Sequence, residues 1–134
     1  MLAPILFEMS TITIKREHGQ LDKINFSFRY ILLTENQKNE IEKEFNGTTT
    51  DLKSNHSKTN GYVVIIDLDK SINPATIKKI NERLDIDETK FGVWVSLTTN
   101  YDHSGLSFPD YVVDFIKIVG GQIDVSTIMI SEDE

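Results

Sequence analysis

INFSFRYILLTENQKNEIEKEF, residues 24–45, changes period in its middle, and that change decides the fold. Ile24, Phe26, Phe28 and Tyr30 alternate with polar residues, the two-residue period of a strand with one buried face. At Thr34 the alternation stops. Thr34 and Gln37, three residues apart, have the spacing of a capping box, in which each side chain satisfies a backbone amide of the other residue. Ile41 and Phe45 then recur four apart, with Glu40, Glu42, Lys43 and Glu44 mostly outside, and Gly47 is placed to end the helix. A strand leading directly into a capped helix predicts an architecture in which helices cover a sheet.

Working outward, STITIKRE places Ile12 and Ile14 against Thr11, Thr13 and Lys15, and a glycine-containing turn over 18–22 separates it from the strand at 24. The two runs predict an N-terminal antiparallel hairpin. Residues 48–61, TTTDLKSNHSKTNG, hold a single large apolar residue, Leu52, and predict a mobile loop. YVVIIDL at 62–68 is a continuous branched run, expected mid-sheet with both faces covered. Asn73 followed by Pro74 caps a second helix carrying Ile77, Ile80 and Leu84. FGVWVSL at 91–97 is a further strand. Ser107 with Asp110 predicts the start of a third helix, whose Val112, Phe115, Ile116 and Val119 form its core stripe. Gly120 and Gly121 end that helix, and QIDVSTIMI at 122–130 supplies the last strand.

This order predicts the α+β class: a ferredoxin-like α/β sandwich with a mixed, largely antiparallel sheet of about five strands, three helices and the N-terminal hairpin. Strands 24–33 and 62–68 are expected to be joined by one helix, and 91–97 and 122–130 by another. The 134 residues suit a single domain, with residues 1–9 a possible extra segment before a start at Met9.

Composition removes several function classes. Cysteine is absent, so disulfides, thiolate metal sites and a cysteine nucleophile are excluded. The opening MLAPILFEMS lacks a basic start and a cleavage site, and no stretch has the roughly 20 apolar residues of a membrane helix. A cytoplasmic protein without a membrane partner is expected. Acidic residues outnumber basic ones by 21 to 14, a formal charge of −7 that repels nucleic acid and either simply keeps a small protein soluble or forms a docking surface for a basic protein.

No catalytic or metal motif is expected. His18, His56 and His103 are scattered through loops without metal-ligand spacing. Tyr101, Asp102, His103, Ser104 and Gly105 place an acid, a base and a hydroxyl in one loop, but adjacent residues point apart and no nucleophile elbow accompanies them. The seven glycines form no phosphate cradle. Asp67 and Asp69 share one face at a strand end, where they read either as a carboxylate pair or as the point where a buried strand meets water. No cofactor and no metal are expected. The candidate residues are instead those of a docking surface: Asp85, Asp87 and Glu88 before one strand, Trp94 on it, and Tyr101, Asp102 and His103 after it. Aromatic anchors among carboxylates suit a basic protein partner. Packing beneath a helix is the competing role for Trp94.

The runs FSFRYILLTENQKNEIEKEF, GYVVIIDL and LSFPDYVVDFIKIVGGQIDVSTIMI together resemble a family of small bacterial α/β proteins, some encoded beside secreted toxins and regarded as immunity proteins. The resemblance lies in fold signals and implies neutralisation of a protein toxin by steric and electrostatic occlusion, as a monomer or homodimer. The alternatives are a small-molecule-sensing ferredoxin-like module and, third, a small enzyme without a familiar motif.

Overall fold

The computed structural model describes residues 11–15, 21–45, 52–56, 61–99 and 107–129. Within them lie six strands and three α-helices in the order β1 (Thr11–Lys15), β2 (Leu21–Leu33), α1 (Glu35–Glu44), β3 (Leu52–His56), β4 (Tyr62–Asp67), α2 (Pro74–Arg83), β5 (Phe91–Thr99), α3 (Asp110–Val119) and β6 (Gln122–Met129). A single 3-10 turn, Glu88–Lys90, precedes β5. The class is α+β, as the change of period at Thr34 predicts.

The sheet runs β3-β4-β2-β5-β6, with β2 antiparallel to both β4 and β5, β3 antiparallel to β4, and β5 parallel to β6. β2 is therefore the hub, and its 13 residues are long enough to take two neighbours on one side. Ser27 to Leu33 pair with β4, whereas Leu21 to Asn25 pair with β1. Residues 16–20, which join β1 to β2, lie outside the described residues.

β3 falls inside the segment expected to be a mobile loop. Leu52 and Ser54 are half-buried while Lys53 and Asn55 are exposed, so burial alone orders the strand weakly. Its order comes from a five-residue ladder with β4, Leu52 opposite Ile66 through His56 opposite Tyr62. Non-local hydrogen bonds of that kind leave little trace in composition. The extra strand also moves the crossovers. β2 and β3 run parallel with β4 between them, so α1 links β2 to β3 rather than to β4, and α2 links β4 to β5 across β2. β2-α1-β3-β4-α2-β5 is the split βαβ pattern of a ferredoxin-like sheet, to which α3 and β6 add one more parallel crossover.

All three helices supply the same core. Ile41 from α1, Ile77 and Ile80 from α2, and Val112 and Phe115 from α3 are buried with Phe26, Phe28, Tyr30, Val64, Ile66, Val93 and Val95. Phe28 lies at its centre, with ring centroids 4.9 Å from Tyr30, 5.9 Å from Phe91 and 5.0 Å from Phe115. The opposite sheet face carries no helix among the described residues, so β4 is covered on one side only and Val63 and Ile65 stay half-buried.

The capping chemistry follows the expectation in two helices out of three. Thr34 and Gln37 close a reciprocal capping box on α1 at 3.1 and 3.0 Å, and Asn73 accepts from the Ala75 N–H at 3.0 Å with Pro74 at the first position of α2. Ser107 does not cap α3. That helix starts at Asp110 after Pro109, whose ring removes one amide that would otherwise need a partner, and it has no side-chain cap. β6 can approach β5 closely because Gly92 has no side chain; a Cβ there would stand 2.1 Å from the Gln122 carbonyl oxygen.

Candidate functional site

The three acidic residues predicted from sequence come together in the connection from α2 to β5. α2 ends at Leu84, and Asp85 then takes the left-handed backbone conformation, φ 53°. The Asp85 N–H bonds the Glu82 carbonyl at 3.3 Å and the Ile86 N–H bonds the Asn81 carbonyl at 2.9 Å. These paired bonds form a Schellman motif, a helix end that usually has glycine where Asp85 stands. The turn drives Ile86 into the core and leaves Asp85 and Asp87 outside. Asp87 caps the following 3-10 turn, accepting from the Thr89 N–H at 2.8 Å. That bond to the Thr89 backbone, helped by the Thr89 side chain and Lys90, holds the Asp87 carboxyl below its ordinary pKa and outweighs the opposing effect of burial.

The result is an open groove of about 450 Å³ lined by Lys78, Asn81, Glu82, Asp85, Ile86, Asp87, Glu88, Phe91 and Val119. Four carboxylates and one ammonium stand around it, over an apolar wall of Ile86, Phe91 and Val119. α2 and α3 both reach the groove near their C-terminal ends, through Glu82 and Val119, and the negative ends of their dipoles add to the field there. Gln37 fastens one side, its amide donating to the Leu84 carbonyl at 3.2 Å and so tying the start of α1 to the end of α2.

Asn81 gives the groove its most unusual feature. The residue is only 6% exposed, and its Oδ1 accepts the Tyr30 hydroxyl at 2.5 Å. Its Nδ2 is buried without an acceptor among the described residues. An unpaired buried donor of this kind costs about 1–3 kcal/mol. Tyr30 itself is held neutral, burial pushing its hydroxyl pKa well above the usual value.

Sequence reasoning missed Lys78, Asn81 and Glu82. Their signal was helical spacing: 78, 81, 82 and 85 lie three and four apart and so share a face near the end of α2.

The structure separates the remaining candidates from this groove. Trp94 pairs with Ser27 and so stands on the face away from the three described helices. No helix among the described residues lies over this face, where Trp94 is half-buried with the Arg29 guanidinium 5.4 Å from its ring centre. Beside it Asn25, Ser27, Arg29, Lys53, Ile65 and Asp67 line a hollow of about 220 Å³. Two cations and one carboxylate make that hollow a poor match for a basic partner. Asp67 belongs to this hollow, whereas Asp69 accepts from the backbone N–H and the hydroxyl of Ser71 in a tight turn, so the two do not act as an isolated pair. Tyr101, Asp102 and His103 lie outside the described residues. β5 spans 91–99, so the loop that follows it starts about 30 Å along the strand from Glu88.

No cluster of three or more histidines and carboxylates able to hold a metal occurs among the described residues. No described helix is long and apolar enough to cross a membrane. No family model, curated protein or solved structure matches the chain.

Proposed function

We propose that this chain is an immunity- or antitoxin-like protein that binds a basic protein toxin and blocks it by occlusion, using the groove between α2 and β5. The observation that carries this reading is the arrangement of carboxylates around an apolar wall, with Glu82, Asp85, Asp87 and Glu88 beside Ile86, Phe91 and Val119. An arginine or lysine of the partner has the matching form, an apolar stem ending in a charge. The formal charge of −7 accelerates encounter with a basic surface, most strongly at low salt.

The test is to mix the protein with the toxin-like product of a neighbouring gene and follow association by calorimetry over a range of salt concentrations. Binding in the nanomolar range, weakened by salt and reduced about tenfold or more by Asp85→Asn combined with Glu88→Gln, supports the reading. Absence of binding at low salt overturns it. A second reading, a small-molecule-sensing module, draws on the same groove, since a compact cationic ligand also fits among its carboxylates. Thermal stabilisation by such a ligand, without any protein partner, would favour it.

A further inference from the structure

The two edges of the sheet are built differently. β3 closes one side with five residues, LKSNH, and a lysine, the short polar edge that resists unwanted pairing. β6 closes the other with eight, QIDVSTIM. Residues 122–128 are all exposed, including Ile123 at 51%, Val125 at 54% and Ile128 at 54%. These branched residues occur on both faces of the strand, because Ile123 and Val125 follow the register of Val93 and Val95 whereas Ile128 follows Thr98. In a parallel pair, alternate residues turn their N–H and C=O groups away from the neighbour, and no strand among the described residues pairs with this outer edge of β6.

We propose that β6 is a dimer interface, with two copies of the chain joined antiparallel along this edge into one continuous sheet. Charge favours a second copy. The chain as a whole is acidic, but the strand contains only one ionised side chain, Asp124. With a twofold axis at Ser126, Asp124 meets Ile128 of the other copy, Val125 meets Thr127 and Ile123 meets Met129. The two carboxylates then lie about 14 Å apart along the strands, beyond the Debye length of roughly 8 Å. Ser126 meets its own copy, and Ile123 and Val125 meet apolar or small residues. A basic partner is drawn to the acidic groove, not to this nearly neutral strip. The strip is about 27 Å long. A single strand pair is smaller than the roughly 800 Å² per partner of standard interfaces, so a weak dimer, of micromolar strength or less, is expected. The antiparallel arrangement puts the two grooves at opposite ends of the shared strand pair and leaves both open. This proposal is independent of the toxin-binding reading.

Sedimentation velocity of the full chain between about 1 μM and 1 mM tests it. The expected result is a monomer at the low end that converts to a dimer, with Ile123→Lys combined with Val125→Lys weakening association at least tenfold and leaving the circular dichroism spectrum unchanged. Hydrogen exchange on the unmodified chain provides a second reading: amide protection in β6 should rise with protein concentration, while that in β4 should not change. A chain that stays monomeric to 1 mM overturns the proposal, whether the edge is covered by its own residues or by another protein. A dimer that survives the double substitution, or β6 protection that does not vary with concentration, overturns it as well.

Discussion

The two faces of β2 are built from the same thirteen residues and obey different physics. On the helix side, Phe26, Phe28 and Tyr30 are fully buried among aromatic and branched side chains from every helix. On the open side, Asn25, Ser27 and Arg29 line a shallow hollow, with the Arg29 Nε donating to the Ser27 hydroxyl at 3.2 Å and its guanidinium lying over Trp94. One face is held by area removed from water, which is large and insensitive to salt. The other is held by polar and cation–π contacts that water and ions can replace at little cost. Stability therefore resides on one side of the sheet, and a substitution on the other side can change binding or solubility with little effect on folding.

The largest expected break in this contrast is Phe28→Ala. It removes a fully buried ring that contacts three others, and should lower the unfolding free energy in urea by about 3–5 kcal/mol. Tyr30→Phe comes next, at about 1–3 kcal/mol, because it leaves Asn81 with a second unpaired buried atom. Adding Asn81→Leu to Tyr30→Phe should recover part of that loss, and a double-mutant cycle would measure the coupling.

Tyr30 also sharpens the contrast through pH. Its folded pKa is raised, so its contribution is present in full below about pH 10, where an unfolded tyrosine starts to ionise. As pH rises from there towards the higher folded value, the unfolded state gains the charged form and stability falls. The urea midpoint should therefore decline above about pH 10, and decline less steeply in Tyr30→Phe.

The open face should respond far less. Trp94→Ala or Arg29→Ala is expected to cost about 1 kcal/mol or less, and the two losses should not add, since each removes the same cation–π contact. A cost of 3 kcal/mol for either would show that this face is as tightly packed as the other. The smallest effect concerns the groove. Asp85→Gly relieves the left-handed backbone at the end of α2 and should stabilise the fold by about 0.5 kcal/mol while weakening any basic partner. Thermal unfolding and calorimetry on the same preparation would separate the two outcomes.

Much of the fold was legible residue by residue. The alternation of Ile24, Phe26, Phe28 and Tyr30, the Thr34–Gln37 capping box and the Asn73–Pro74 start each act within a few positions and hold in the folded chain. Ser107 misled because a serine followed three residues later by an acid resembles a cap, whereas Pro109 had already set the entry to α3. The candidate site was legible only in part. Asp85, Asp87 and Glu88 stood out as a local acidic run, but Lys78, Asn81 and Glu82 join them only because the chain turns back at the end of α2.

By itself, then, the sequence determined the strands and helices that carry their own period and caps, the α+β class they add up to, and the acidic character of the α2–β5 turn. Tertiary structure alone decided that LKSNH pairs with β4 as a strand, that Trp94 faces away from the three described helices, that Asn81 bonds Tyr30, and that β6 is the last strand of the sheet among the described residues. The physical reason is range. Periodicity and capping are set by neighbours within a turn or two of chain, whereas a ladder bond, a covered face or a stranded amide depends on which distant segment arrives beside it.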